Sequence, residues 1–296
     1  MTRIFSRRRA AAAAALLAAI ATVTAFAVAA CASGAEGGGT SPAATPSALA
    51  TSAGSLPTMQ LSPSSVASGA PAVWPSATTL AATERWLRGR IGVTALAVID
   101  SRGRLHGYRY DTQFGSASVV KAMLLVQYLR THAGIPRHDR LLLTRMIVDS
   151  DNAATDTVFA HVGTGGLSDL ARVAGMSRFT PSSVWALSLV TAADQARFFY
   201  RIDSLVPQRH QALLERVLGE HGPYRGWGIP QAALLRGWHV CWKDGWMHSA
   251  RGELLLQVAR LERKGITFAV AVIADGQPTS GYGVATMSGV GERLLR

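Results

Sequence analysis

Three short stretches of the chain hold residue types that could make and break an acyl bond. The first is Ser118-Val119-Val120-Lys121. On the first turn of a helix, residues three apart share a face, so the lysine amine can sit beside the serine hydroxyl. A serine hydroxyl is a poor nucleophile until a neighbour takes its proton, and a desolvated neutral lysine can take it. Arginine cannot, because it stays protonated in proteins. The distinction matters here, because only Lys121, Lys243 and Lys264 among the 30 Lys and Arg residues are lysines. A composition that turns surface lysine into arginine keeps lysine where arginine fails. An ordinary helix carrying a snorkelling lysine would show the same spacing.

The second stretch is Ser150-Asp151-Asn152, and Asn152 is the only asparagine in the 296 residues. A hydroxyl and an amide at one junction can relay a proton and hold a substrate amide. Ser and Asp also precede helices as caps, so a purely structural reading stands beside the chemical one. The third stretch, Lys243-Asp244-Gly245, falls at the end of a predicted strand. The lysine offers positive charge and the glycine lets backbone approach a ligand closely. A strand-ending turn would look alike.

These residues need elements to hold them. The spacing predicts a helix over Thr79–Arg90, a strand over Val93–Asp100, a turn, and a returning strand over Leu105–Asp111. Ser118–His132 reads as a helix whose dense apolar run suits a buried position. Further helices are expected over Arg140–Val148, Asn152–Val162, Leu167–Val173, Thr191–Ile202 and Pro207–Gly219. Three strands follow, Trp238–Lys243, Gly252–Leu261 and Thr267–Ala274, then a closing helix over Gly281–Arg296. This order predicts an α+β fold: one antiparallel sheet of about five strands, drawn from both chain ends, packed with helices and joined to an all-helical lobe.

The amino terminus reads as an export signal. Met1 to Arg9 holds four arginines and no acid, and Ala10 to Ala30 carries no charge. The apolar stretch is also long enough to span a bilayer, so an uncleaved anchor is the alternative. Val28-Ala29-Ala30-Cys31 resembles the lipobox of bacterial lipoproteins, which implies lipidation at Cys31 and a signal over residues 1–31. Ser6-Arg7-Arg8-Arg9 partly resembles a twin-arginine export motif. Of the 44 residues in 32–75, 35 are Ala, Ser, Gly, Thr or Pro, and Glu36 is the only charge. That composition predicts a disordered tether. The folded domain is expected over residues 76–296.

Composition narrows the rest. A chain that is 48% hydrophobic and 16% charged is not wholly disordered. Cys31 and Cys241 are its only cysteines, which excludes a disulfide framework and a cysteine-rich zinc site. The net charge is +12, but the arginines are scattered, so a nucleic-acid partner is not expected. The histidines show no zinc spacing, and neither a metal nor another cofactor is expected. Cys241 reads as a buried strand thiol, His239 and His248 as structural, and Arg251 as a candidate carboxylate clamp or a plain surface arginine.

In this order the three stretches resemble the active-site set of the penicillin-recognising serine enzymes, Ser-x-x-Lys, Ser-Asp-Asn and Lys-Thr-Gly. The likeness spans about residues 78–296 and points to the class A β-lactamase-like serine hydrolases. Within them, a group of exported actinobacterial lipoproteins is similar in Trp185-Ala186-Leu187, Thr191-Ala192-Ala193-Asp194, Gly226-Trp227-Gly228 and Tyr282-Gly283. The resemblance implies Ser118 as acylated nucleophile, Lys121 as its base and Ser150 as proton shuttle. It implies that Asn152 holds a substrate amide and that Lys243 steadies a substrate carboxylate and Ser150. Asp244, Gly245 and Trp246 would line the substrate, with the Ser118 and Trp246 backbone N–H groups as oxyanion hole.

The chain departs from that pattern twice. Class A enzymes use a Glu after Ser-Asp-Asn to activate the deacylating water, and no Glu lies between Asn152 and Glu215. Asp169 and Asp194, the only acids between Asp156 and Asp203, both read as helix residues. Asp244 also replaces the family's Thr or Ser, and a carboxylate there would repel a substrate carboxylate, so either the substrate lacks that carboxylate or Asp244 points away. The implied function is an extracytoplasmic, lipid-anchored serine hydrolase acting on an amide or ester, β-lactam or peptidoglycan-related. Its expected partners are a small-molecule or peptidoglycan-like substrate and, through the anchor, the membrane. The oligomeric state is open, with a monomer as default. The alternative is a lipoprotein that binds such a ligand without turnover.

Overall fold

The computed structural model describes residues 73–219 and 227–296. The signal with Cys31, and all of the expected tether but its last three residues, lie outside them. Among the described residues no helix is long and apolar enough to cross a membrane.

The sheet is built around a strand that is apolar on both sides. β1 (Val93–Ile99) is buried at every position after Val93, as a central strand must be. It pairs with β2 (Leu105–Tyr108) and with β7 (Ile266–Gln277); β6 (Gly252–Arg263) and β5 (His239–Ser249) complete the sheet. The order is β2-β1-β7-β6-β5 and every pairing is antiparallel. The expected α+β sheet of five strands from both chain ends is therefore present. Side chains alternate between two cores. Ala95, Ala97, Leu256, Val258, Ala271 and Ile273 face one. Leu96, Val98, Leu255, Ala259, Val270 and Val272 face the other.

The second core is closed by three helices from the two ends of the domain: α1 (Ala77–Arg88), α7 (Gly228–Leu234) and α8 (Ser280–Leu294). The first is closed by α2 (Val120–Thr131), α3 (Arg137–Val148), α4 (Asn152–Ala174), α5 (Ala192–Tyr200) and α6 (Gln208–Gly219). Every residue of α2 from Val120 to Leu129 is buried, in keeping with an apolar run too dense for one face.

Several expected boundaries shift for local reasons. The second strand stops at Tyr108, because Arg109 takes a left-handed φ of 48° that ends the ladder. The helices expected over 152–162 and 167–173 are one element bent at Gly163 (φ 63°, ψ 179°), a backbone setting suited to glycine. The strand expected to stop at Lys243 runs on to Ser249, because β6 pairs with it over its whole length. Lys243-Asp244-Gly245 thus lies mid-strand. A two-stranded ladder, β3 (Phe114–Gly115) with β4 (Leu189–Val190), was too short to show a period of two.

Helix α7 was also missed, and its start explains why. It has no side-chain cap from its own sequence. The fully buried Gln257 on β6 supplies one from 28 residues away: its Oε1 accepts from Ile229 N at 3.0 Å and its Nε2 donates to Trp227 O at 3.1 Å. Gln257→Leu should leave both backbone groups unpaired, at about 1–3 kcal/mol each. We expect melting temperature to fall by on the order of 5 °C or more. A thermal melt within about 1 °C of the parent would show that water or a neighbour replaces Gln257.

Candidate active site

Ser118 does not open an α-helix directly. It lies in a 3₁₀ turn, Ala117–Val119, that feeds α2. Ala117 is held at φ 45°, an unusual setting for a residue with a Cβ. The turn is braced from outside: Ser116 N donates to Ser188 O at 2.8 Å, and Ser116 Oγ donates to the carbonyls of Trp185 and Ala186 at 3.2 Å each. The β3–β4 ladder ties the same two segments together. Ser118 itself is partly exposed, as a group that meets an outside molecule must be.

Lys121 is fully buried one turn into the structure. Its Nζ donates to Ser150 O at 2.6 Å, to Asn152 Oδ1 at 2.8 Å and to Ser150 Oγ at 3.2 Å. The Trp185 ring lies beside it, with its centroid 4.9 Å from Nζ. Burial, helped by the positive charge of Lys243, pushes the amine down to about 7, against the opposing pull of Asp151, Asp244 and Asp156. An amine placed this way gives up its proton far more readily than a surface lysine.

The Ser-Asp-Asn stretch sits where α3 hands over to α4. The cap reading and the chemical reading both hold, on different residues. Asp151 caps α4 by accepting from Ala154 N at 3.0 Å, and it pairs with Arg145. Those contacts hold its carboxyl below the usual range against the effect of burial, the Ala154 N–H being the largest cause. Ser150 takes φ 53°, and this left-handed residue turns both its carbonyl and its hydroxyl onto Lys121. Asn152, the first residue of α4, is exposed and reaches the same amine.

Lys243 is 1% exposed, and its Nζ donates to Asp244 Oδ1 at 2.8 Å. Gly245 follows where backbone meets backbone. A Cβ on it would stand 2.9 Å from Ser118 N, 3.1 Å from Ser116 O and 3.1 Å from the Ala117 Cβ. β5 thereby brings the start of Trp246 against the nucleophile turn. The Trp246 side chain is 39% exposed, its Nε1 donating to Glu253 Oε2 at 2.7 Å. His248 Nδ1 lies 3.1 Å from the other Glu253 oxygen. The structure thus joins Lys121 to Ser150 and Asn152, Lys243 to Asp244, and Gly245 to the Ser118 backbone, with Trp246 at the rim; among the described residues the Ser118 hydroxyl makes no hydrogen bond to Lys121.

Two neighbours had no role assigned from sequence. Trp185 flanks Lys121, and its Nε1 donates to Asp156 Oδ1 at 2.7 Å. Trp185 sits in a lone 3₁₀ turn whose period carries no signal, and Asp156 is one acid among several on α4. The other acids of this region are engaged elsewhere. Buried Asp194 accepts from Ser177 N and Arg178 N at 3.1 and 2.9 Å, and exposed Asp169 lies near Arg172. Arg251, the candidate clamp, is taken by Asp275 at 2.8 Å beside the β5–β6 turn. Cys241 is buried, and burial pushes its thiol up to about 12. Among the described residues no cluster of His, Cys, Asp or Glu is placed to hold a metal.

Gly245→Ala tests the close approach. The obstructing atoms at Ser118 and Ser116 are backbone and cannot swing aside. A displacement of the turn by about 1 Å typically costs on the order of 10² in rate. We expect labelling of Ser118 by an acylating probe to fall by about that factor with the fold retained by circular dichroism. Unchanged labelling would show that β5 does not abut the reacting serine.

The fold is shared beyond this chain. Residues 139–296, more than half of the sequence, match the family model described as the β-lactamase enzyme family. The matched part includes Ser150-Asp151-Asn152 and Lys243-Asp244-Gly245 and begins after Ser118 and Lys121. No curated protein matches. Solved structures do. A β-lactamase from Burkholderia vietnamiensis is 20% identical with a TM-score of 0.63, over 74% of this chain and 96% of that one. The class A β-lactamase from Mycobacterium abscessus is 19% identical with a TM-score of 0.61, over 74% and 98%. A β-lactamase from Sphaerobacter thermophilus DSM 20745 is 17% identical with a TM-score of 0.61, over 73% and 95%. At such identities the structures establish a shared fold, and the family match adds descent: the chain belongs to the β-lactamase enzyme family, a family of serine hydrolases.

Proposed function

We propose that this chain is an exported, lipid-anchored serine hydrolase that opens an amide or ester through an acyl-enzyme on Ser118. The reading rests on one observation above the others: a fully buried lysine with a pKa near 7, held against Ser150 and Asn152, three residues from a partly exposed serine. In the first step the Ser118 hydroxyl attacks the substrate carbonyl and its proton passes to the neutral Lys121 amine. Negative charge gathers on the former carbonyl oxygen, where the Ser118 and Trp246 N–H groups would receive it. The proton returns from Lys121 through the Ser150 hydroxyl to the departing nitrogen or oxygen. The carbon–heteroatom bond breaks and the acyl group stays on Ser118. Water then cleaves the ester, releasing an acid and restoring the serine.

That last step is the weak one. No glutamate follows Asn152 until Glu215, and the segment bracing the nucleophile turn presents the Trp185 indole to Lys121. A lost general base costs about 10² to 10⁴ in rate. This supports acylation by β-lactams followed by slow release. It also favours the second reading, a family member that binds without turnover.

One experiment separates the two. Mixing with a chromogenic cephalosporin should give a burst of one equivalent and then a stall, with an adduct on Ser118 by intact mass. The burst rate should rise with pH through about 7 and level off above it, because the base is the unprotonated amine. Sustained turnover near the typical enzyme rate of about 10 s⁻¹ would show that another group activates the water. No adduct and no turnover would favour the binding protein. The anchor is checked separately: Cys31→Ala should release the protein from membranes, and unchanged retention and processing would favour an uncleaved helix.

A further inference from the structure

We propose that Trp185 and Asp156 are a positioning pair for Lys121: the indole keeps water from the buried amine, and the Asp156 carboxylate holds the indole in place. The pair's effect on acylation rests on the serine-hydrolase reading; its effect on the amine does not.

Lys121 Nζ lies 4.9 Å from the centroid of the Trp185 ring. Lys121 is fully buried and Trp185 is half-buried, so the indole has one side toward the amine and another toward solvent. Its Nε1 donates to Asp156 Oδ1 at 2.7 Å, a short charge-assisted hydrogen bond that fixes the orientation of the ring. Asp156 follows Asn152 by four residues on α4, so one helix face does two things. It contacts the amine through Asn152 Oδ1 and anchors the cover over it through Asp156. The Trp185 backbone is held as well: its carbonyl accepts from Ser116 Oγ at 3.2 Å and from Ser188 N at 3.1 Å. The ring is thereby placed with respect to both the nucleophile turn and the base.

The charged groups acting on Lys121 are Lys243 and Asp244 on β5 and Asp151 and Asp156 at the start of α4. The three carboxylates favour its ammonium form and Lys243 opposes it, but burial opposes it most. Removing the indole would admit water, which favours the ammonium, and would take away the attraction of the ring face, which also favours it. Water has the larger effect, because taking an ammonium out of water costs several times what a ring face returns. Asp156 acts in two ways of opposite sign. As a charge it favours the ammonium; as the anchor of the indole it disfavours it.

The test titrates Lys121 in the full chain by the ¹³Cε signal of labelled lysine, with no substrate present. Trp185→Ala should raise the midpoint by about 1 pH unit or more, tenfold in the acid constant. Asp156→Asn and Asp156→Ala both remove the charge, but only Asn keeps an acceptor for the indole. The Ala midpoint should therefore exceed the Asn midpoint, by about 0.5 pH unit or more, roughly threefold. Asp156 is an exposed helical residue and Ala the best helix former, so this comparison carries the test where Trp185→Ala fails to fold. Acylation of Ser118 in Trp185→Ala should fall about fivefold or more at about pH 7 and recover toward about pH 9. A loss equal at every pH would show damage to the nucleophile turn and overturn the pair's part in acylation. A Trp185→Ala midpoint that does not rise would overturn the proposal. So would an Asp156→Ala midpoint no higher than that of Asp156→Asn. Midpoints that move as stated in a chain whose Ser118 takes no adduct would retain the pair and overturn the serine-hydrolase reading.

Discussion

The site depends on keeping one amine out of water. Burying an ammonium costs several kcal/mol even after relaxation, so a lysine enters a core only where oxygens await it or where it gives up its proton. Lys121 does both. It sits on a helix buried from Val120 to Leu129, it meets three oxygens from the α3–α4 junction, and its pKa falls to about 7. The rest of the domain reads as the means of holding that compromise. α2 is pinned between the sheet and the helical lobe, α3 and α4 bring Ser150 and Asn152 across to it, and β5 closes the far side with Lys243.

Backbone strain marks the same places. Ala117 and Ser150 are two of four described non-glycine residues with positive φ, and one precedes Ser118 while the other contacts Lys121. Such residues cost on the order of 1–3 kcal/mol each and persist where the surroundings fix them. Here the surroundings are identifiable. Ser116, next to Ala117, is bonded to Ser188, Trp185 and Ala186, and the Ser150 carbonyl accepts from Lys121. The segment around Trp185 therefore shapes the nucleophile turn and flanks the base without supplying a carboxylate. Family and fold are retained, and no glutamate follows Asn152 until Glu215.

Much of this was legible in the sequence, for physical reasons that differ from residue to residue. Lysine scarcity singled out Lys121 and Lys243, because arginine substitutes for lysine on a surface but not as a base. The fold class followed from strands whose runs were long and apolar, such as β1 and β7. What stayed hidden was set by contacts distant in sequence. Helix α7 begins where Gln257 caps it, β5 continues past Lys243 because β6 pairs with it, and the β3–β4 ladder joins residues about 75 positions apart by two pairs. Asp156 and Trp185 gained meaning only when α4 set one beside the other. Nor could sequence decide whether Asp244 turns toward Lys243 or away.

The account stands on a neutral lysine at physiological pH, and the chain is well suited to observing it. With three lysines in all, protein grown on ¹³Cε,¹⁵Nζ-lysine gives three side-chain signals, assignable with Lys121→Arg and Lys264→Arg. We expect the Lys121 signal to titrate with a midpoint near pH 7. A Lys121 signal that remains that of an ammonium through pH 9, two units above that midpoint, would contradict the assignment of this residue as the base.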